Sequence, residues 1–303
     1  MSSIPVKTRH FHRHRTFEIL NAIGMCVLMF VTLYPVLNTL ALSFNDGTDA
    51  VRGGIKLWPR IFSLRSYETI FVDESFFSAL FVTVSRTAIQ TVLNILLTSM
   101  LAYALSRREY VLRKFITAMF VLTMYVNAGL IPNYLLINNA LKLSKSFWVY
   151  IIPTMMSCFN MIVIRTYILN LPEAMVESAR IDGAGDFYLF WRIIFPLCLP
   201  VLATIALFVA VGAWNSWFDT HLYNASKVKL HTLQYLLRMK LATTTNSANA
   251  AMTTADALTS TTLTTPITIR AAITVVTAAP ILAIYPLLQR YFVVGLSIGS
   301  VKG

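Results

Sequence analysis

The stretch PEAMVESARIDGAGDFYLFWRIIFPLCLP, Pro172 to Pro200, is polar where its surroundings are not. Long apolar runs flank it, and inside it Glu173, Glu177, Arg180, Asp182, Asp186 and Arg192 gather around a glycine. Its periodicity predicts two short helices. Pro172 suits the first helical turn, where its missing N–H is no loss, and Asn170 and Glu173 stand at capping-box spacing. Glu173, Glu177 and Arg180 form one polar stripe, with Met175 and Ala179 on another face. Gly183 suits the left-handed residue that ends a helix. From Asp186 a second helix would line up Phe187, Phe190, Trp191 and Ile194 as an apolar stripe and break at Pro196. Such a pair would lie across a membrane face, either resting on lipid or gripped by a soluble partner. Periodicity allows both.

Working outward, composition supplies the membrane. Of 303 residues, 56% are hydrophobic and 13% charged, whereas soluble domains carry about 25% charged residues. Several apolar runs reach the roughly 20 residues needed to cross a bilayer. The expected fold is all-α and polytopic, with six spans: Phe17 to Phe44, Phe76 to Leu105, Phe115 to Leu136, Phe147 to Leu169, Pro196 to Phe218 and Ile267 to Phe292. Residues 1–16 then form a basic tail, 17–292 the membrane domain and 293–303 a second tail. The 170–195 segment and the 219–266 stretch are the two large polar connections. Cys26, Cys158 and Cys198 lack metal or redox spacing and read as small core residues.

Cations near the span ends are divided almost evenly between the two sides, so the positive-inside rule is decided by its close-range groups. The basic tail and the turn RREYVLRK sit tight against span ends. They favour both termini in the cytoplasm, with the quoted segment on the same side and 219–266 outside. The net charge of +12 is spread over both sides without an aromatic-interleaved basic patch, which argues against nucleic acid and for lipid headgroups. No carboxylate falls mid-span, and Arg86 is the cation set farthest from a span end, placed where it could snorkel. An ion-coupled secondary carrier, the alternative reading, would need an intramembrane acid or inverted repeats. A membrane enzyme would need paired catalytic acids or a His cluster.

The residues of the quoted segment resemble a known pattern. Glu177-Ser178-Ala179, Gly183, and Ile194-Phe195-Pro196-Leu197 with Pro200 are similar to the EAA loop of membrane subunits in binding-protein-dependent ABC importers. ARIDGA at Ala179 to Ala184 resembles the maltose-type sugar branch, as do YALSRREY (Tyr103 to Tyr110), GLIPNYLLI (Gly129 to Ile137), GAWNSWFD (Gly212 to Asp219) and the ending QRYFVVGLSIGSVKG. Together these cover most of the chain after the first span. The likeness is strongest to permeases of complex oligosaccharides and polyuronides. Ser178 stands where the motif usually has Ala and is small enough for the same packing.

The resemblance implies a type I importer permease in a bacterial plasma membrane. A second, homologous permease, an ATPase dimer and an extracytoplasmic solute-binding protein would be its partners. No cofactor is expected on this chain; ATP and Mg would sit in the ATPase subunits. Glu177 would make the polar contact to the ATPase, Met175 and Ala179 would fill its cleft, and Asp182 and Gly183 would form the turn. Ser300, Val301 and Lys302 resemble tails that enter the ATPase interface.

For the sugar path the candidates are Tyr125, Asn133, Asn160, Trp214 and Asn215, with Asn94, Asn127, Tyr134 and Trp217 nearby. Aromatic faces and amides suit a saccharide; the same residue types also serve helix packing and the interfacial belt. The outer stretch is expected to be structured to Lys240, with helically spaced Leu233, Leu236 and Leu237, and loose through the Thr/Ala-rich part beyond. The outer cation excess reads as a solvated surface or as a match for an acidic substrate or an acidic partner protein, and it motivates an acidic oligosaccharide as cargo. The alternating His10, His12 and His14 read as part of a disordered tail.

Overall fold

The computed structural model describes residues 11–126, 128–251 and 265–300, and side chains within 17–126, 128–242 and 265–283. Among them the chain is helical, with one isolated antiparallel bridge between Asn45 and Phe62. Helix α1 is Phe11–Ser43, α2 Gly47–Val51, α3 Arg65–Val72, α4 Glu74–Ser106, α5 Arg113–Tyr125 and α6 Leu130–Leu135, the last prolonged by a π turn to Ala140. Two 3₁₀ turns, Phe147–Tyr150 and Ile152–Thr154, precede α7, Cys158–Leu169. Then come α8 Glu173–Ile181, α9 Asp186–Leu189 with a π turn Phe190–Ile194, α10 Phe195–Leu197, α11 Leu199–Asn215, α12 Leu233–Ala251 and α13 Pro266–Ser300.

Three of the six expected spans are single helices long and apolar enough to cross a membrane: Phe17–Ser43, Glu74–Ser106 and Pro266–Ala283. The other three are bent pairs. Arg113–Tyr125 meets Leu130–Ala140 at 115°, Phe147–Thr154 meets Cys158–Leu169 at 46°, and Asp186–Leu197 meets Leu199–Asn215 at 77°. Each break has a local cause. Gly129 has φ +87°, a region closed to most side chains, and Pro132 follows it. Ser157 leaves the helical region to accept from the Asn160 N–H as an N-cap. Pro200 withholds the N–H that would have joined α10 to α11, so the break comes at Cys198 rather than at Pro196.

Two compact units are distinguished. In the unit formed by residues 1–70 and 243–276 the polar stretch after α1 is tightly tied. The Asn45 Oδ1 accepts from the Arg60 and Ile61 N–H groups at 2.8 and 3.1 Å, and Asp49 pairs with Arg60 at 3.1 Å. In contrast, every residue of α1 from Phe17 to Leu37 is exposed. In the unit formed by 71–242 and 277–303, α4 is the axis, packed by α7 and α11. At 33 residues it is about 50 Å long. Its buried Thr98, Ala102 and Ser106 form a small-residue ridge that lets partner helices approach closely. Ile164, Ile168, Ile194, Leu202 and Ile205 close on it. The Arg165 Nε donates to the Leu105 carbonyl at 3.0 Å, satisfying one of the orphan acceptors at the end of α4.

Several expectations are corrected. Asn170 caps no helix start; it ends α7 and its Nδ2 donates back to the Thr166 carbonyl at 3.0 Å. Arg86 does not snorkel. It is 2% exposed, pairs with both Asp219 oxygens, and lies 4.7 Å over the Tyr150 ring. Cys198 is in the core, whereas Cys26 stands exposed on α1. Helix α12 runs through the first part of the Thr/Ala-rich stretch to Ala251, and α13 runs through most of the expected C-terminal tail to Ser300. Asn127, His10, residues 252–264 and 301–303 lie outside the described residues, as do the side chains of His12 and His14.

Candidate functional site

The site is α8 and the elements that hold it. Pro172 stands at its N-cap without a side-chain bond, and Glu173 in the first turn meets the positive end of the helix dipole. The helix ends in a Schellman motif. The Gly183 N–H donates to the Arg180 carbonyl and the Ala184 N–H to the Ala179 carbonyl, both at 3.0 Å, with Gly183 at φ +81°. Ala179 and Ala184 make the accompanying apolar contact against the core.

That core is what fixes the rotation of α8 about its axis. Val176 is buried beside Tyr103, Leu105, Ile168, Leu189, Phe190 and Ile194. Ala179 turns inward with it. On the opposite face, at i, i+3, i+4 and i+7, lie Ala174, Glu177, Ser178 and Ile181, all exposed. Ile181, at 86%, is among the most exposed apolar side chains described. Glu177 makes no ion pair or hydrogen bond among the described residues. The Ser178 hydroxyl donates to its own Ala174 carbonyl at 2.9 Å, which occupies the one polar atom separating it from alanine. Met175 sits at the edge, lining a cavity of about 330 Å³ with Arg192, Ile193, Pro196 and Leu197.

Both ends of α8 are braced to the turn after α4. Arg108 meets Glu173 at 3.4 Å; Arg180 takes both Glu109 oxygens, the second at 3.2 Å, and reaches Asp186 at 3.4 Å. The Arg180 hydrogen bond and charge hold the Glu109 carboxyl below the usual carboxylate range. The second helix departs from its expected stripe. The π turn at Phe190–Ile194 inserts an extra residue, so Leu189, Phe190 and Ile194 are buried while Phe187 and Trp191 face out. Phe187, Phe190, Trp191 and Phe195 instead form a run of edge and tilted ring contacts at 5.2 to 6.2 Å.

The five candidate sugar-path residues, Tyr125, Asn133, Asn160, Trp214 and Asn215, do not form one cluster. Asn160 donates to the Asn94 Oδ1 at 3.2 Å, and Asn94 to the Thr154 carbonyl at 3.0 Å, inside the core. Trp214 is buried and donates to the Thr277 carbonyl at 3.1 Å. Tyr125 is 80% exposed at the end of α5, and Asn133 is exposed on α6. Asn215 is exposed at the end of α11 and accepts from Gln234 at 3.0 Å. Sequence reading missed Val176, Ile181 and the Arg180–Glu109 brace. The helical spacing of Ala174, Glu177, Ser178 and Ile181 was a signal for the outward face; nothing in the local sequence announces the brace.

Residues 94–298 match the family described as the binding-protein-dependent transport system inner membrane component. The chain belongs to that family. It is the membrane-spanning permease of an ABC importer, a subunit that works beside ATPase subunits, a second permease and a solute-binding protein. Among its relatives, the polygalacturonan/rhamnogalacturonan transport system permease protein YtcP of Bacillus subtilis (strain 168) is 35% identical over 226 residues, 75% of this chain and 78% of that one. Protein LplC of the same organism is 32% identical over 289 residues, covering 95% and 96%. A bacterial ABC transporter involved in the import of the acidic polysaccharide alginate has a chain that superposes with a TM-score of 0.82. It is 27% identical, with 95% of this permease and all of that chain covered.

Proposed function

We propose that this permease carries an acidic oligosaccharide, of uronide type, across the bacterial plasma membrane, driven through α8 by ATP hydrolysis in its partners. Both termini and α8 lie on the cytoplasmic side, and the connection after α11 lies outside. The ATPase subunits hold ATP and Mg; this chain takes no part in hydrolysis and transmits motion. The observation that carries the reading is the rigid setting of α8. A helix keyed by Val176, stopped at Gly183 and braced at both ends moves as one body with α4 and α11. Its outward face offers Glu177 for polar contact and Ala174, Ser178 and Ile181 for an apolar cleft. Met175 and Asp182 stand at the margins of that face, and Ala179 belongs to the base that supports it.

The substrate class is supported by the two relatives named for polygalacturonan and alginate. It is also supported by the stretch from Thr220 to Ala242, which carries Lys227, Lys229, Arg238 and Lys240 and no acid. Calorimetry of the partner binding protein tests it: tight binding to oligouronides is expected, and tight binding to neutral glycans alone overturns it. Glu177→Lys tests the lever. The variant inserts normally and loses co-purifying ATPase; retained ATPase with full uptake refutes the assignment.

A further inference from the structure

One cluster outside α8 has no partner for its charge among the described residues. Where α11 ends and α12 begins, Arg238 lays its guanidinium over the Trp217 indole, 3.6 Å from the ring centroid. Phe218 meets that indole edge-on at 5.5 Å and His221 at 6.0 Å, which fixes the platform from the side. One turn before Arg238 on the same face of α12, the Gln234 Nε2 donates to the Asn215 Oδ1 at 3.0 Å. A guanidinium, an indole and two amides therefore share one patch, in which Arg238 and Asn215 are exposed and Trp217 and Gln234 half-buried.

Arg238 makes no ion pair among the described residues. The neighbouring carboxylate, Asp219, is held by Arg86, and Lys240 takes Asp73 at 3.1 Å. The guanidinium rests over the indole and keeps its N–H groups without an anionic partner among the described residues. A guanidinium edge meets a carboxylate through two parallel hydrogen bonds. Beside it, the Asn215 Nδ2 and the Gln234 Oε1 keep a donor and an acceptor without partners among the described residues, the pairing that sugar hydroxyls satisfy. Charge alone would fit any anion; the adjacent amides favour a saccharide.

We propose that Arg238, stacked on Trp217 beside the Asn215–Gln234 pair, binds a uronate carboxylate of the transported oligosaccharide. The inference rests on the acidic-oligosaccharide reading above. An acidic side chain of the binding protein would present the same carboxylate, and the experiment separates the two. The transporter is purified with its second permease, ATPase subunits and binding protein, and reconstituted in liposomes. Uptake of labelled trigalacturonate at sub-saturating concentration is measured alongside the affinity of the unloaded binding protein for the complex.

Arg238→Gln is expected to lower uptake about tenfold, the scale of one charge-assisted pair, with binding-protein affinity and assembly unchanged. Arg238→Lys keeps the charge without the fork and falls between. Weaker docking of the unloaded binding protein assigns the carboxylate to that protein and overturns the proposal. So does unchanged uptake, or a loss of thermal stability with Lys no better than Gln. If Arg238→Gln fails to assemble, Trp217→Leu removes the platform while keeping the charge and decides by the same comparison. A wild-type transporter that imports neutral trisaccharides and no trigalacturonate sinks the substrate reading itself, before any variant is made.

Discussion

Gly183 and Arg86 show opposite ways in which one position can matter. At Gly183 an added Cβ would meet nothing within 4 Å, yet φ is +81°. The cost of a side chain is therefore in the backbone, about 1 kcal/mol for alanine and more for a β-branched residue. Gly183→Val is expected to loosen the α8 terminus and reduce co-purified ATPase, while Gly183→Asn, which tolerates the left-handed region, keeps most of it. Equal yields from both variants would show that the turn is not needed. Arg86 is bound by its surroundings instead: buried, paired with Asp219, stacked on Tyr150, with the Tyr150 hydroxyl donating to the Leu230 carbonyl at 2.7 Å. Removing one charge strands the other, a loss of about 3–5 kcal/mol for a buried pair. Asp219→Asn is expected to lower the melting temperature in detergent sharply, and the double variant Arg86→Met with Asp219→Leu to recover much of it. A double variant as unstable as the single would place the loss elsewhere. Sequence could not foresee this, since the partner lies 133 residues away and Arg86 taken alone looks like a snorkelling cation.

At the scale of the element, α8 owes its rigidity to three supports of unequal strength. Val176 in the core supplies the lasting one; the Arg108–Glu173 and Arg180–Glu109 contacts are exposed, and such pairs contribute less than about 1 kcal/mol and weaken with salt. Because the folded Glu109 carboxyl titrates below its unfolded value of about 4.3, its contribution is fully present above that value and is lost as pH falls through the lowered one. Between roughly pH 6 and 8 the brace is constant. Glu109→Gln is expected to raise amide exchange across α8 a few-fold at low salt, with a smaller difference at high salt and uptake only mildly reduced. Exchange unchanged at any salt would leave Val176 as the whole support. This division also explains what was legible. Gly183 announces its turn because few residues can occupy that backbone, and the spans announce themselves by hydropathy. The π turn at Phe190–Ile194 has no such signature: one inserted residue rotates Phe187 and Trp191 outward although their spacing reads as a buried stripe. Asn170 misled for a related reason, since the same amide can cap a helix start or close a helix end, and packing of α7 chose the second.

For the whole molecule the decisive quantity is which face of the membrane each polar segment meets. Apolar exposure demands a bilayer or a partner: α1 from Phe17 to Leu37 covers none of itself against the chain, and that surface in water would be an aggregation site. Within a bilayer, α4 has one end beside Arg108 and Glu109, which brace α8. Near its other end Thr83 accepts from the Leu233 N–H at 2.8 Å, which ties in the start of α12. A helix of about 50 Å exceeds the roughly 30 Å hydrocarbon core, long enough to carry these two polar groups to opposite faces. The lever reading requires the α8 face to be cytoplasmic. Single cysteines at Glu177 and at Lys229, in a background with the native cysteines replaced, settle the orientation with a membrane-impermeant maleimide. Lys229→Cys is expected to label in intact spheroplasts. Glu177→Cys is expected to label only in inverted vesicles, and to be protected there when the ATPase subunits are bound. Labelling of Glu177→Cys from outside would reverse the orientation and remove α8 from any contact with ATP-driven motion. Labelling from inside without protection would keep the orientation and place the coupling contact on another segment of the chain.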